Sequence, residues 1–197
     1  MPYEEFSFQV IHGAFGIFIT GGALFAGISP ASVPAWLEDQ LAQGRQSPPV
    51  SEQARSELLV SPILLACREQ SGNEVAVFSG ARLDVSPGQG LSGECDFLLA
   101  RAPSVPMVQA PVLAVVEAKK GDIQGGLGEC LAQMLGARML NERDGLPLPA
   151  IHGCVTTGED WQFMTLRDST AWINDRRYYL SYLPEILEVL AEIVRPT

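Results

Sequence analysis

Residues 112–120, VLAVVEAKK, pass without a turn from an apolar run into Glu117, Lys119 and Lys120; these are the chain's only lysines, beside eleven arginines. A strand sends alternate side chains to opposite faces, so Glu117 and Lys119 share one face while Ala118 and Lys120 take the other. Asp96 sits near the start of a second apolar stretch, ECDFLLA, which can pair beside the first. Two carboxylates and an ammonium then converge where both strands reach the surface. Their repulsion raises a carboxylate pKa unless a divalent cation joins them, and hard oxygen donors suit Mg²⁺ or Mn²⁺. Further on, Cys130, Gln133, Ala137 and Leu140 share one helix face, with Gln133 the single amide on an otherwise small and apolar stripe. A glutamine buried there needs a polar partner, which a carboxylate or metal-bound water supplies. Taken singly, each feature has an ordinary reading: a solvated salt bridge worth at most ~1 kcal/mol, a turn aspartate, a glutamine bonded to backbone.

Other chemistries find little support. Gly88, Gly90 and Gly93 spell G-x-G-x-x-G, but a strand follows where a dinucleotide fold needs a helix, so a hairpin loop is expected. There is no phosphate-cradling G-x-x-x-x-G-K-[ST] and no G-x-S-x-G nucleophile elbow. The two histidines, His12 and His152, have no partner at metal-ligand spacing. Cys67, Cys95, Cys130 and Cys154 are widely separated and read as reduced, buried thiols of a cytoplasmic protein.

These residues need a scaffold, and 197 residues with 47% hydrophobic and 18% charged content suit one α/β domain with a real core. The net charge of -10 disfavours non-specific adhesion to nucleic acid or anionic membrane. Residues 6–28 carry no formal charge and are long enough for a membrane span, but Glu4 and Glu5 precede them and glycines, Gln9 and His12 interrupt them. The alternation in FSFQVI predicts strands and turns packed on the domain, and no membrane span. A short helix is expected over 36–42, stopped at Gly44. A second should open on Ser51, with Pro62 bending or splitting it. A β-meander follows over 74–118, then a helix over 127–142, two strands around the turn at Gly158–Glu159, an edge strand, and an amphipathic closing helix. The expected architecture is a single domain, 1–197, with a mixed sheet flanked by helices. Residues 1–50 form an apolar extension packed on the core or against a second copy, 51–166 the core, and 167–197 an edge strand and helix.

In order, Glu57 on an upstream helix, Asp96 in GECD, Glu117 and Lys119 in VVEAKK, and Gln133 on a following helix resemble the PD-(D/E)XK, or restriction-endonuclease-like, nuclease superfamily. More narrowly, the chain resembles a set of uncharacterised bacterial proteins, common in cyanobacteria, that carry the same motif. The superfamily resemblance covers about residues 51–166. It implies metal-dependent phosphodiester hydrolysis, with Mg²⁺ or Mn²⁺ held by Asp96, Glu117, the Ala118 carbonyl and Glu57. Lys119 would orient or deprotonate water or stabilise charge, and Gln133 would tune the site. Cys95 stands where proline is common. Nucleic acid, DNA foremost, is the implied partner, and Arg82, Arg101, Arg138, Arg143 and Lys120 are the expected phosphate contacts. The alternative is a catalytically idle or regulatory module of the same fold in a larger assembly, a reading the acidic charge motivates.

Overall fold

The computed structural model describes residues 2–103 and 105–195. Helix α1 (Phe8–Phe15) starts on Ser7, whose Oγ accepts the Val10 amide at 3.3 Å, and ends on Gly16 at φ +67°. Strand β1 (Phe18–Gly22) follows, then α2 (Ala35–Gln46). Ser51 caps α3 (Glu52–Arg55) by accepting the Ala54 amide at 3.0 Å. A π turn, Ser56–Val60, carries the chain directly into α4 (Ser61–Gln70). Strands β2 (Ala76–Arg82), β3 (Glu94–Ala100) and β4 (Val112–Ala118) form an antiparallel meander. Helix α5 (Ile123–Arg143) is capped by Asp122, which accepts the Gly125 amide at 2.9 Å. Next come β5 (Ile151–Thr156), β6 (Asp160–Arg167), β7 (Thr170–Asn174), β8 (Tyr178–Tyr179) and α6 (Leu183–Val194).

The strands make one eight-stranded mixed sheet in the order β1-β7-β6-β5-β4-β3-β2, with β8 beside β6. Pairs β4–β5 and β1–β7 are parallel and the others antiparallel. Helices cover both faces, giving the α/β architecture expected of the sequence. One core lies under α1 and α5, the other under α2, α4 and α6. All seven residues of β4 are buried, as a central strand covered on both faces requires. This position buries Glu117 within the sheet and not at an open edge.

Several elements differ from the sequence expectation. FSFQVI does not form a strand, because the Ser7 cap and Gly16 stop favour one short helix and Ile11 supplies its buried contact. Gly44 does not stop α2. It lies inside the helix where a Cβ would meet Leu58 O at 2.7 Å, so its role is close approach. Proline in a helix removes a donor and crowds the carbonyl four residues back. The π turn, in which Ser61 donates to Ser56 O, opens the ladder just before Pro62 and lets the helix continue. Strand β7 is not an edge, because β1 pairs along its whole length. The Gly88–Gly93 segment does join two antiparallel strands.

The first residues dock on α5. Gly128 packs directly under the Phe6 carbonyl, and a Cβ there would stand 3.0 Å from Ser7 Cα. Gly128→Ala should therefore lower stability by about 1–3 kcal/mol through overpacking against backbone. Urea unfolding reads this as a lower midpoint, and an unchanged midpoint would show that the segment is not held there.

Candidate active site

Strand β4 delivers Glu117 and Lys119 to the α5 face of the sheet, two residues apart on one side. Lys119 Nζ donates to Glu117 Oε1 at 2.8 Å and to Glu129 Oε2 at 2.7 Å. Gln133, fully buried, donates from Nε2 to Glu117 Oε2 at 2.9 Å. Glu129 and Gln133 are four residues apart on α5 and so reach the same strand end from adjacent turns. Room for the lysine stem comes from Gly126, where a Cβ would meet Lys119 Cε and Cγ at 3.1 Å. The Lys119 amide donates to Thr156 O at 2.7 Å, fixing the strand end against β5.

Asp96 enters from β3. Phe97 pairs with Val116, so Asp96 stands across from Glu117 as the two strands diverge. Its Oδ2 accepts the Ala118 amide at 2.7 Å, so the carboxylate closes the end of the ladder. Three carboxylates, Asp96, Glu117 and Glu129, thus surround one ammonium. Burial, then the charges of Asp96 and Glu129, push Glu117 up to about 8 against the pull of Lys119. Burial also raises Asp96, with the Ala118 amide and Lys119 opposing it only in part. At Lys119 burial works toward neutrality, but Glu117 and Glu129 outweigh it and hold the ammonium above its ordinary range. Among the described residues no three His, Cys, Asp or Glu side chains are grouped to hold a metal. Any ion here would rest on two carboxylates and other oxygen donors.

The upstream acid is not where the sequence suggests. Glu57 is exposed and its Oε1 accepts from Gln53 Nε2 at 2.9 Å. The acid that reaches this end of the sheet is Glu52, whose Oε1 accepts the Lys120 amide at 3.1 Å and whose charge acts on Asp96.

The predicted phosphate contacts do not gather. Arg101 lies five residues along from Asp96, about 17 Å by strand rise, and donates to Val194 O at 2.8 Å. Arg138 and Arg143 lie nine and fourteen residues beyond Glu129, about 13 and 21 Å along α5. Arg138 bonds Asp168 O and Arg143 pairs with Asp144 at 3.1 Å. Arg82 is at the correct end of its strand but is clasped by Asp84 at 2.9 Å. Of the five, Lys120 adjoins the site and is exposed. Arg55, which the sequence did not single out, donates to Thr157 O at 2.8 Å beyond the end of β5, at the same end of the sheet.

Sequence reasoning also missed Glu129 and Gly126. The signal for Glu129 was its four-residue spacing from Gln133, which puts an acid and an amide on one flank of the helix. No protein-family model matches the chain, and no curated protein matches it. No described helix is long and apolar enough to cross a membrane.

Proposed function

We propose that the chain is a divalent-metal-dependent nuclease that hydrolyses phosphodiester bonds of nucleic acid, DNA foremost, at Asp96, Glu117 and Lys119. The observation that carries this reading is the meeting of Glu117, Lys119, Glu129 and Gln133 at one strand end, with Asp96 on the adjacent strand. The order α4, β2–β3–β4, α5, β5, with β4 and β5 parallel, supports a restriction-endonuclease-like core.

A hard cation fits the donor chemistry: burial, and then the charges of Asp96 and Glu129, raise Glu117, and buried Gln133 Oε1 has no partner among the described residues. Asp96 and Glu117 would hold Mg²⁺ or Mn²⁺. A regular strand sends one residue's N–H and C=O to the same side, so the Ala118 carbonyl is the natural third donor. The ion would supply charge neutralisation and a more acidic bound water.

The protein's own groups divide the remaining work. Lys119 stays protonated, so it serves as a charged clamp on a phosphate oxygen and not as the base. Glu129 restrains its Nζ from the helix side. Gln133 Oε1 is free to accept from the attacking water and set its direction.

The test is direct. Purified chain incubated with single- and double-stranded DNA and RNA in Mg²⁺ or Mn²⁺ should cut at least one of them, and EDTA should stop it. The scattered arginines favour a second reading, a non-catalytic module whose partner supplies the nucleic-acid grip. Intact substrates together with no calorimetric Mg²⁺ signal would select that reading.

A further inference from the structure

A cavity of about 540 Å³ opens at the other end of the sheet from Glu117, on the face away from α5. Its floor is a row of cross-strand neighbours, His152 on β5, Thr165 on β6 and Trp172 on β7. The His152 ring takes Thr165 Oγ1 at 3.1 Å through Nδ1, and the Phe25 ring stands 6.3 Å from it. Gly22 lets the Trp172 indole lie close, since a Cβ there would be 2.9 Å from Trp172 Cε3. The volume falls in the range of small-molecule sites, and flat side chains with few polar groups are what such sites use.

The charge of this cavity is opposite to that of the chain. Three arginines line it, Arg101, Arg167 and Arg195, against one acid, Glu192. Arg195 is committed to Glu188 and Glu192. Neither Arg101 nor Arg167 has a carboxylate partner among the described residues. The buried Nε of Arg101 has no hydrogen-bond partner among them either. Arg101 gives one N–H to Val194 O, but neither it nor Arg167 has a counter-charge among the described residues, in a chain with ten more acids than bases. Burial, then Arg167, lower the His152 pKa to about 4, so the ring is neutral and adds a flat polar surface. A guanidinium's forked donors match a phosphate or carboxylate, which would supply the missing counter-charge.

We propose that this cavity binds a small anion carrying one flat ring, its phosphate or carboxylate at Arg101 and Arg167 and its ring over His152, Thr165 and Trp172. The site is separate from the chemistry at Glu117 and stands whether or not that chemistry is nucleolytic. The test titrates the full chain with adenosine monophosphate, benzoate, adenosine and inorganic phosphate, following the ring resonances of the two histidines by NMR. His12 lies on α1, across the sheet, and serves as the internal control.

At least one ringed anion should shift His152 and leave His12 unmoved, and whichever binds more tightly identifies the anionic group. Adenosine and bare phosphate should each bind at least about tenfold more weakly, a difference of about 1.4 kcal/mol. Arg167→Ala should weaken binding by a similar factor; Arg167 is exposed, so the fold should survive. Trp172→Leu is the second variant and should weaken the ringed anions while leaving bare phosphate unchanged. A His152 signal indifferent to both ringed anions would overturn the proposal, as would equal binding of adenosine or equal binding by Arg167→Ala.

Discussion

Glu117→Ala should cut metal-dependent cleavage of nucleic acid by at least about a thousandfold, a loss of roughly 4 kcal/mol of transition-state stabilisation. The size follows from the number of tasks on one carboxylate. It is a direct ligand candidate for the ion, the acceptor for Lys119 and the acceptor for Gln133. The fold should survive, because Lys119 keeps Glu129 as a partner at 2.7 Å and the variant removes a carboxyl whose ionised form burial disfavours. Circular dichroism should therefore match the parent. Gln133→Leu tests the smaller role of water direction and should cost about tenfold. Lys119→Met should fall nearer to Glu117→Ala, since no other cation reaches Glu117 among the described residues. Cleavage that persists in Glu117→Ala would exclude this site as the catalyst.

In metal-free buffer Glu117 should cost the chain stability as pH rises from about 4.5 to about 8, and Glu117→Gln should remove much of that loss. The loss is most open above 6.5, where His152, held at about 4, no longer adds an opposing slope. Glu117 titrates near 4.5 when exposed and is held at about 8 in the fold. Between those values the folded chain keeps a proton that the unfolded chain has released, so unfolding gains with each unit of pH. The stabilisation is complete below 4.5 and gone above 8. At about 1.36 kcal/mol per unit, the window is worth several kcal/mol at most. Asp96, also raised, slopes in the same direction and interacts with Glu117, so the comparison reads the carboxyl pair with Glu117 as its larger member. The amide introduced by Glu117→Gln can keep the local bonds. Its oxygen accepts from Lys119, and its nitrogen donates to Gln133 Oε1 once the Gln133 amide turns over. Urea midpoints across this range in EDTA measure the effect. A parent no more pH-sensitive than the variant would show that burial does not hold this carboxyl protonated, which is the premise.

The centre of the site was legible because a buried strand is hard to disguise. Seven apolar-tolerant positions leading through Glu117 to Lys119 leave one register, and period-two alternation puts those two side chains together. Gln133 was legible for the same reason, as a polar residue on a buried helical stripe. Asp96 required a guess about pairing that the meander satisfies. Glu52 was not legible as a site residue: the superfamily resemblance matches the upstream acid to Glu57, and the π turn at Ser56–Val60 turns that side chain away from the 3.6-residue register of a regular helix. The arginines failed for a different reason. Long charged side chains on surfaces obey no periodic constraint, and each found its nearest acid or carbonyl. Strand β1 was hidden because its partner, β7, lies about 150 residues later in the chain.

That last pairing has a practical corollary. Trimming only the leading fifty residues, which lie outside the stretch the superfamily resemblance covers, strips β7 of the neighbour that occupies its outer hydrogen-bonding groups. The shortened product would present a bare, partly apolar border to other molecules in the tube and would self-associate through it. Assays of that product would then report on clumping and not on chemistry, so the leading residues belong in every preparation.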